Sequence, residues 1–362
     1  MSCPESTLVV ATDMAPHLCL LGDANSPHTR RWATEMRARG WRVSLVTALP
    51  EPIDNVEQRV LLPVRRSTDW LLRVGAARRH VRELAPDIVH AHYVTSYGYL
   101  AARCGRHPLV MTAWGSDLLV TPQTRPWMRW LTGWILRRAD LITGDSMSLV
   151  EATKEYHPRA PVHEIHWGVD RARFAPVPWN SKHGVHIVSM RAWEPNYHID
   201  TLVDAFALLR ERLPGAPLRL HLLGGGTLEA PLRKQVQIRG LGQYVDFHGR
   251  LDDTGMAAVL ARCKISVTVP ASDATSVAML ESMASGLAVV ASDLAANRQW
   301  INHGLLVPAG DTNSLADMLQ QLSTDDERMR QAGERNAERI AFDGDRKAQM
   351  DLVDRLYRQL LI

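Results

Sequence analysis

The chain has 362 residues, 46% of them apolar and 22% charged, which is too long for one small domain and too apolar for a disordered polymer; at about 150 residues per domain it divides into roughly two. Forty-two basic residues against 39 acidic ones leave a formal charge of +3, so the chain as a whole is not built to coat nucleic acid. Cys3, Cys19, Cys104 and Cys263 form no CxxC or Cys/His pairing, which argues against a disulfide frame or a structural zinc site and fits a reducing compartment. No stretch approaches the ~18 apolar residues of a membrane span, and the opening MSCPEST carries no basic run of a secretion signal. A soluble, cytoplasmic protein is expected, at most peripheral to a membrane.

In chain order, short Val/Ile/Leu-rich runs alternate with longer amphipathic segments, as in βα repeats. Strands are expected near 18–21, 42–46, 60–62, 88–90, 109–112, 141–143 and 162–165, with helices near 29–39, 69–84, 126–138 and 146–156. The plan repeats with strands near 185–189, 218–222, 245–247, 265–269, 288–291 and 305–307. Strands this short and apolar between helices imply parallel sheets covered on both faces. RARFAPVPWNSKHG (171–184) interrupts the alternation and marks a linker. This gives a first domain over 1–175, a linker over 176–184, a second domain over 185–343 and a final amphipathic helix over 344–362. Residues 1–16 precede the first clear strand and read as an extension or an extra edge strand.

The segment ISVTVPASDATSVAMLESMASGLAVVASD carries the most chemistry. A buried strand ends at Pro270, a loop of small residues follows, and a helix begins near Thr275 with Glu281 inside it. Such a loop leaves unpaired N–H groups beside the positive end of a helix dipole, a ready phosphate site. Asp273 and Glu281, eight residues apart, are then placed to reach hydroxyls of one bound molecule.

DATSVAMLESMASGLAVVA (273–291) resembles, in register, the glutamate-bearing motif of the family 4 retaining glycosyltransferases. GDANSPHTRRWATEMRARGWRVSLVT, DIVHAHY, ADLITGDS, WGVDRARF, LLGGGTLE and VDFHGRL extend the resemblance along nearly the whole chain. The wording is similar to that of bacterial capsule and surface-polysaccharide transferases. The resemblance implies the GT-B fold, two facing Rossmann-like domains with a cleft between them and a last helix crossing back to the first domain. It implies an enzyme moving a sugar from a nucleotide diphosphate donor to a glycan, lipid-linked or small-molecule acceptor; no cofactor is expected, and with no DxD-like clamp to place, no metal is expected. The reaction would resemble front-face substitution, the leaving phosphate oxygen taking the acceptor proton.

Carried over by position, the resemblance implies catalytic roles for Arg191, facing the leaving diphosphate, and Asp273, on the donor sugar. Glu281 would hold the ribose, the amides of Thr275, Ser276 and Val277 the diphosphate, and Gly22, in the loop after the first strand, would bind the donor by giving donor and acceptor a close backbone approach. Ser26, His92 and Asp117 are candidate acceptor or sugar contacts. This chain departs from the family pattern at Asp273, shorter than glutamate; at Ala274, where glycine is usual; at Asn196, where lysine is common; and at Trp114, near which many relatives have histidine. Arg250 is a candidate second cation. An epimerase or hydrolase of the same fold and a non-catalytic sugar-nucleotide-binding subunit are the alternatives.

Blander roles compete at each position. Glu281 would be solvated, Asp273 an N-cap, Arg191 a surface or interdomain salt bridge, one of His90 and His92 a core residue, and Ser26 a cap for the helix that starts by His28. Gly224–Gly226 lacks the third glycine of a dinucleotide fingerprint, since Glu229 stands there, so a nicotinamide or flavin is not expected. Asp252–Asp253 and Asp325–Asp326 read as helix starts. In 124–138, Trp127, Trp130, Leu131 and Trp134 share one helix face amid Arg125, Arg129, Arg137 and Arg138. That face either packs on the first sheet or rests on an anionic bilayer. The oligomeric state is not readable.

Overall fold

A computed structural model describes residues 15–66, 68–273, 275–301 and 304–362. The expectations for residues 1–14, which include Cys3, and for Ala274 lie outside the described residues. The chain divides into two compact units, one of 1–143, 153–163 and 354–362, the other of 144–152 and 164–353.

The first unit carries a seven-stranded sheet of β1 (His17–Leu21), β2 (Arg42–Thr47), β3 (Glu57–Val60), β4 (Ile88–His92), β5 (Leu109–Ala113), β6 (Leu141–Gly144) and β7 (Val162–Glu164), in the order β3-β2-β1-β4-β5-β6-β7. β1 pairs in parallel with β2 and β4, and Leu20 aligns with Leu45 on one side and His90 on the other. The second sheet holds β8 (Val185–Ser189), β9 (Leu218–Leu223), β10 (Val245–Gly249), β11 (Ile265–Thr268), β12 (Ala288–Ser292) and β13 (Leu306–Val307), in the order β10-β9-β8-β11-β12-β13. Both sheets are parallel and doubly wound, because buried strands such as Leu109–Ala113 and Ala288–Ser292 have apolar side chains on both faces that only covering helices can shield. The chain thus has two Rossmann-like α/β domains.

One local expectation fails, and one segment has no expectation to meet. The strand expected at 60–62 pairs as Glu57–Val60, a half-exposed edge strand that needs no apolar run. A π-helical turn, Tyr93–Gly98, leads into a short helix, Tyr99–Cys104; Val94, Tyr97, Leu100, Ala101 and Ala102 are buried, leaving no amphipathic stripe to read. The segment expected to link the domains packs on the second unit, where Trp179 donates to Asp326 at 2.8 Å. Asp252 and Asp325 cap helices through the backbone N–H groups of Gly255 and Arg328, as their sequence context indicates.

The last helix, Arg346–Gln359, ends in the first unit's core. Trp32 Nε1 donates to the Tyr357 hydroxyl (2.9 Å), which lies 2.6 Å from His90 Nδ1, and His90 Nε2 lies 2.7 Å from Thr112 Oγ1. Each group is buried and each has a partner, so the row ties the chain's end to β4 and β5. Burial holds His90 neutral, well below the ordinary imidazole range. His90 is therefore the satisfied core histidine of the pair. Replacing Tyr357 by Phe leaves Trp32 and His90 without this partner, which is expected to cost about 1–3 kcal/mol in urea-unfolding stability; an unchanged midpoint would show that the row contributes nothing.

Candidate functional site

In a doubly wound sheet, ligands sit outside the carboxyl ends of the strands where the strand order reverses. In the second unit that point lies between β8 and β11, and the chain leaving each strand brings the expected donor residues together. After β8 comes Arg191. After β11 comes the loop to the helix Val277–Ala284.

The Arg191 guanidinium joins these two segments. Nη2 donates to Asp273 Oδ2 at 2.6 Å and Nη1 donates to the Ser276 hydroxyl, while the guanidinium lies 4.3 Å from the centre of the Tyr197 ring. The side chains of Arg191 and Asp273 are only 10% and 20% exposed, so water screens this charge-assisted pair weakly. Each terminal guanidinium nitrogen carries a second N–H, so the bridge does not exhaust the donors. Asp273 is not the N-cap. Ser276 caps the helix, its Oγ accepting from Met279 N at 3.2 Å, because the helix starts at Val277, two residues beyond the start read at Thr275.

Asn196, at the position where a lysine is common, braces the same loop: Nδ2 donates to Ser272 O (2.9 Å) and its own carbonyl accepts from Ala271 N (2.8 Å). Thr275 is buried, its hydroxyl donating to Asp145 O at 3.0 Å. Glu281 is 3% exposed, about one and a half turns into the helix, which removes the solvated reading.

The glycine run serves close packing. A Cβ on Gly224, at φ +142°, would lie 2.3 Å from Arg191 O, and one on Gly226 2.4 Å from Trp193 O. The loop after β9 thereby packs against 191–193, with Trp193 N donating to Gly225 O. Glu194, between Arg191 and Asn196, is engaged elsewhere and accepts from Thr227 N at 2.9 Å. Arg250, exposed just beyond β10, lies over Gly225, so it stands beside the loop that packs on Arg191.

In the first unit the order reverses between β1 and β4. Gly22 follows β1, and a Cβ there would approach Thr29 Oγ1 at 3.0 Å and the His92 Cβ at 3.4 Å. His92 ends β4, fully buried against Trp32 and Trp114, with Nδ1 3.5 Å from Thr29 Oγ1 and no partner for Nε2 among the described residues. Trp114 stacks on His28 at 4.6 Å. The Asp117 carboxylate accepts from the backbone N–H groups of Val94 (2.7 Å), Trp114 (3.1 Å) and Gly115 (3.0 Å), which fixes the loop after β5. Burial raises its pKa, and those three N–H groups oppose the rise. Ser26 occupies the N-cap position of the helix Pro27–Ala38, yet its side chain makes no cap. Three further residues gather here unannounced by sequence: Asp23 accepts from the Tyr97 hydroxyl at 2.5 Å, and Tyr93 holds φ +67°. No spacing rule flags them, since β1, β4 and the turn after β4 meet only through sheet order.

His92 and His28 are both held neutral. Burial and then the neighbouring His28 push His92 down to about 3; burial and then Arg31 push His28 down to about 4. In the unfolded chain imidazoles protonate near ~6.5. As pH falls below that value the unfolded state takes up protons that the folded state refuses, so stability present at neutral pH is lost between about 6.5 and about 3, the His28 share by about 4. Urea midpoints should fall over this window, and less steeply in His92→Gln; parallel profiles for the two proteins would contradict the assignment.

The model of the Glycosyl transferase 4-like family matches residues 17–146, and that of the Glycosyl transferases group 1 family matches 184–325. The phosphatidyl-myo-inositol mannosyltransferase of Mycobacterium leprae is 27% identical over 323 residues, 83% of each chain. Sucrose-phosphate synthase from Thermosynechococcus elongatus superposes with a TM-score of 0.78 at 20% identity, over 95% of this chain and 99% of its own. Anabaena HepE in complex with UDP superposes with a TM-score of 0.77 at 16% identity, over 95% and 100%. At these identities the two structures establish the GT-B fold, and the family models establish the class: the chain belongs to the family 4 type of glycosyltransferases.

Proposed function

We propose that the chain is a retaining glycosyltransferase whose donor, a nucleotide diphosphate sugar, binds at the β8/β11 switch point of the second unit. The observation that carries this reading is the Arg191 bridge to Asp273 and Ser276 at the mouth of a capped helix. Breaking a sugar–phosphate bond leaves negative charge on the diphosphate and positive charge on the sugar ring. Arg191 and the N–H groups of Thr275, Ser276 and Val277 face the first charge, and the Asp273 carboxylate is suited to the sugar. Arg250 supplies a second positive charge beside the loop, and Glu281 takes the ribose hydroxyls. HepE, solved with UDP, gives the fold-level precedent for nucleotide binding.

In this reading the donor C1–O bond to phosphate breaks on the face where the acceptor hydroxyl oxygen forms its bond to C1. The acceptor proton passes to the leaving phosphate oxygen. No metal takes part, the diphosphate charge being met by arginine and backbone dipoles. The first unit presents the acceptor, with Gly22, Ser26 and His92 near the β1/β4 switch point and Asp117 holding the loop of Trp114.

The acceptor is lipid-linked, and the enzyme rests on the cytoplasmic membrane face. The helix Pro126–Leu136 buries Thr132, Gly133, Ile135 and Leu136, so its tryptophan face does not pack on the sheet; Trp127 and Trp130 are 56% and 66% exposed. Arg125 and Arg129 stand beside them and Arg138 covers Trp134 at 3.7 Å, a composition suited to anionic headgroups. A cavity of about 530 Å³ lined by Trp70, Leu71, Tyr99, Trp127, Met128 and Leu131 opens beside this face and suits an apolar chain. No helix among the described residues is long and apolar enough to cross a membrane. The Mycobacterium leprae relative is likewise named for a phospholipid.

Charge-assisted contacts of this kind contribute ~1.5–3 kcal/mol, so Arg191→Ala is expected to lower kcat by one to two powers of ten in a donor-panel assay. Proton NMR of the product should show the donor's anomeric configuration; an inverted product or acceptor-independent donor cleavage would remove the reading. Glu281→Ala is expected to abolish the rise in melting temperature that a nucleoside diphosphate produces in the wild type. Trp130→Ala should keep that rise but lose co-sedimentation with anionic phospholipid vesicles, and the converse pattern would contradict both assignments.

A further inference from the structure

Away from the Arg191 bridge, three histidines cross one face of the second sheet on adjacent strands: His186 on β8, His221 on β9 and His248 on β10. His186 Nδ1 lies 2.9 Å from His221 Nε2, and His221 Nδ1 lies 3.0 Å from His248 Nε2. Asp246, which aligns with His221 across the β9–β10 pair, places Oδ2 3.4 Å from His221 Nδ1. The register shifts between Phe247 and Gly249, so His248 is the inserted residue of a bulge, a device that re-aims a side chain.

We infer that His221, Asp246 and His248 form a site for a divalent transition ion of the zinc type, outside the sugar-transfer machinery. One ligand atom from each lies within 4.8 Å of the other two. Metal–ligand bonds of ~2.0–2.1 Å in a tetrahedron set ligand atoms about 3.3 Å apart, which the 3.0 and 3.4 Å separations match closely. Two imidazoles and one carboxylate are a zinc-type donor set and leave a fourth position for water. The supports behind the ligands are also present. With Nδ1 on the ion, His221 donates its Nε2–H to His186 Nδ1, which fixes the tautomer. Arg219 Nε donates to Asp246 Oδ2 at 2.6 Å and holds the carboxylate. His221 is buried, whereas Asp246 and His248 on the edge strand are half-buried, so an ion has an approach from solvent. The ion would clamp the edge strand β10 to β9, the two strands that run into Arg250 and the glycine loop.

The test is calorimetric titration of the full chain with zinc chloride after chelator treatment, with cobalt(II) absorption as a second readout. One saturable site is expected, with tetrahedral cobalt bands and a melting temperature several degrees higher when zinc is bound. His248→Gln and Asp246→Asn, both at half-buried positions, should weaken zinc binding tenfold or more while retaining the wild-type circular dichroism. His183→Ala, which removes an exposed histidine outside the cluster, should bind as the wild type does. Absence of saturable zinc binding, or equal affinity in His248→Gln, would overturn the site. The outcome is independent of the sugar-transfer reading, which is tested by activity and nucleotide binding.

Discussion

The geometry at the switch point of the second unit depends on one guanidinium. Arg191 leaves the end of β8 and reaches the loop after β11, donating to Asp273 at 2.6 Å and to the hydroxyl of Ser276, which itself caps the following helix. Two segments that are 82 residues apart are thereby fixed at the point where the strand order reverses. In the proposed reaction the preorganisation would matter because a cation and a set of N–H dipoles stabilise developing charge most when no reorganisation is needed at the moment of reaction. The rest of the region serves that geometry: Asn196 pins the loop at Ala271 and Ser272, and the side-chain-free Gly224 and Gly226 let the loop after β9 lie against the backbone that carries Arg191.

The first unit works by different means. Its equivalent crevice is lined with aromatic rings and with imidazoles kept neutral by burial; of its carboxylates, the buried Asp117 accepts from three backbone N–H groups and Asp23 accepts from the Tyr97 hydroxyl. In the proposed function this crevice takes the acceptor, and the Arg191 site of the second unit takes the diphosphate.

The fold was largely legible because buried parallel strands announce themselves as short apolar runs, and the loop-to-helix motif of 273–291 fixed its own register. What stayed hidden was of three physical kinds. Asp273 and Ser276 both favour N-caps, and sequence does not say which one the helix uses. Sequence does not say whether the tryptophans of 127–134 face the core or the outside; the structure buries Thr132, Gly133, Ile135 and Leu136 and leaves Trp127 and Trp130 exposed. Asp23, Tyr93 and Tyr97, like the row His186–His221–His248, come together only through sheet order and register. No local spacing encodes them. The lysine missing at 196 shows the converse: a departure that looked like a lost charge is a brace for the loop that Arg191 grips.

The most direct measurement is the crystal structure of the chain with a bound sugar nucleotide. The account requires the diphosphate to lie on the N–H groups of residues 275–277 beside Arg191, with the ribose at Glu281 and the sugar at Asp273. A ligand lodged elsewhere, or an Arg191–Asp273–Ser276 bridge that closes that position to it, would contradict the account.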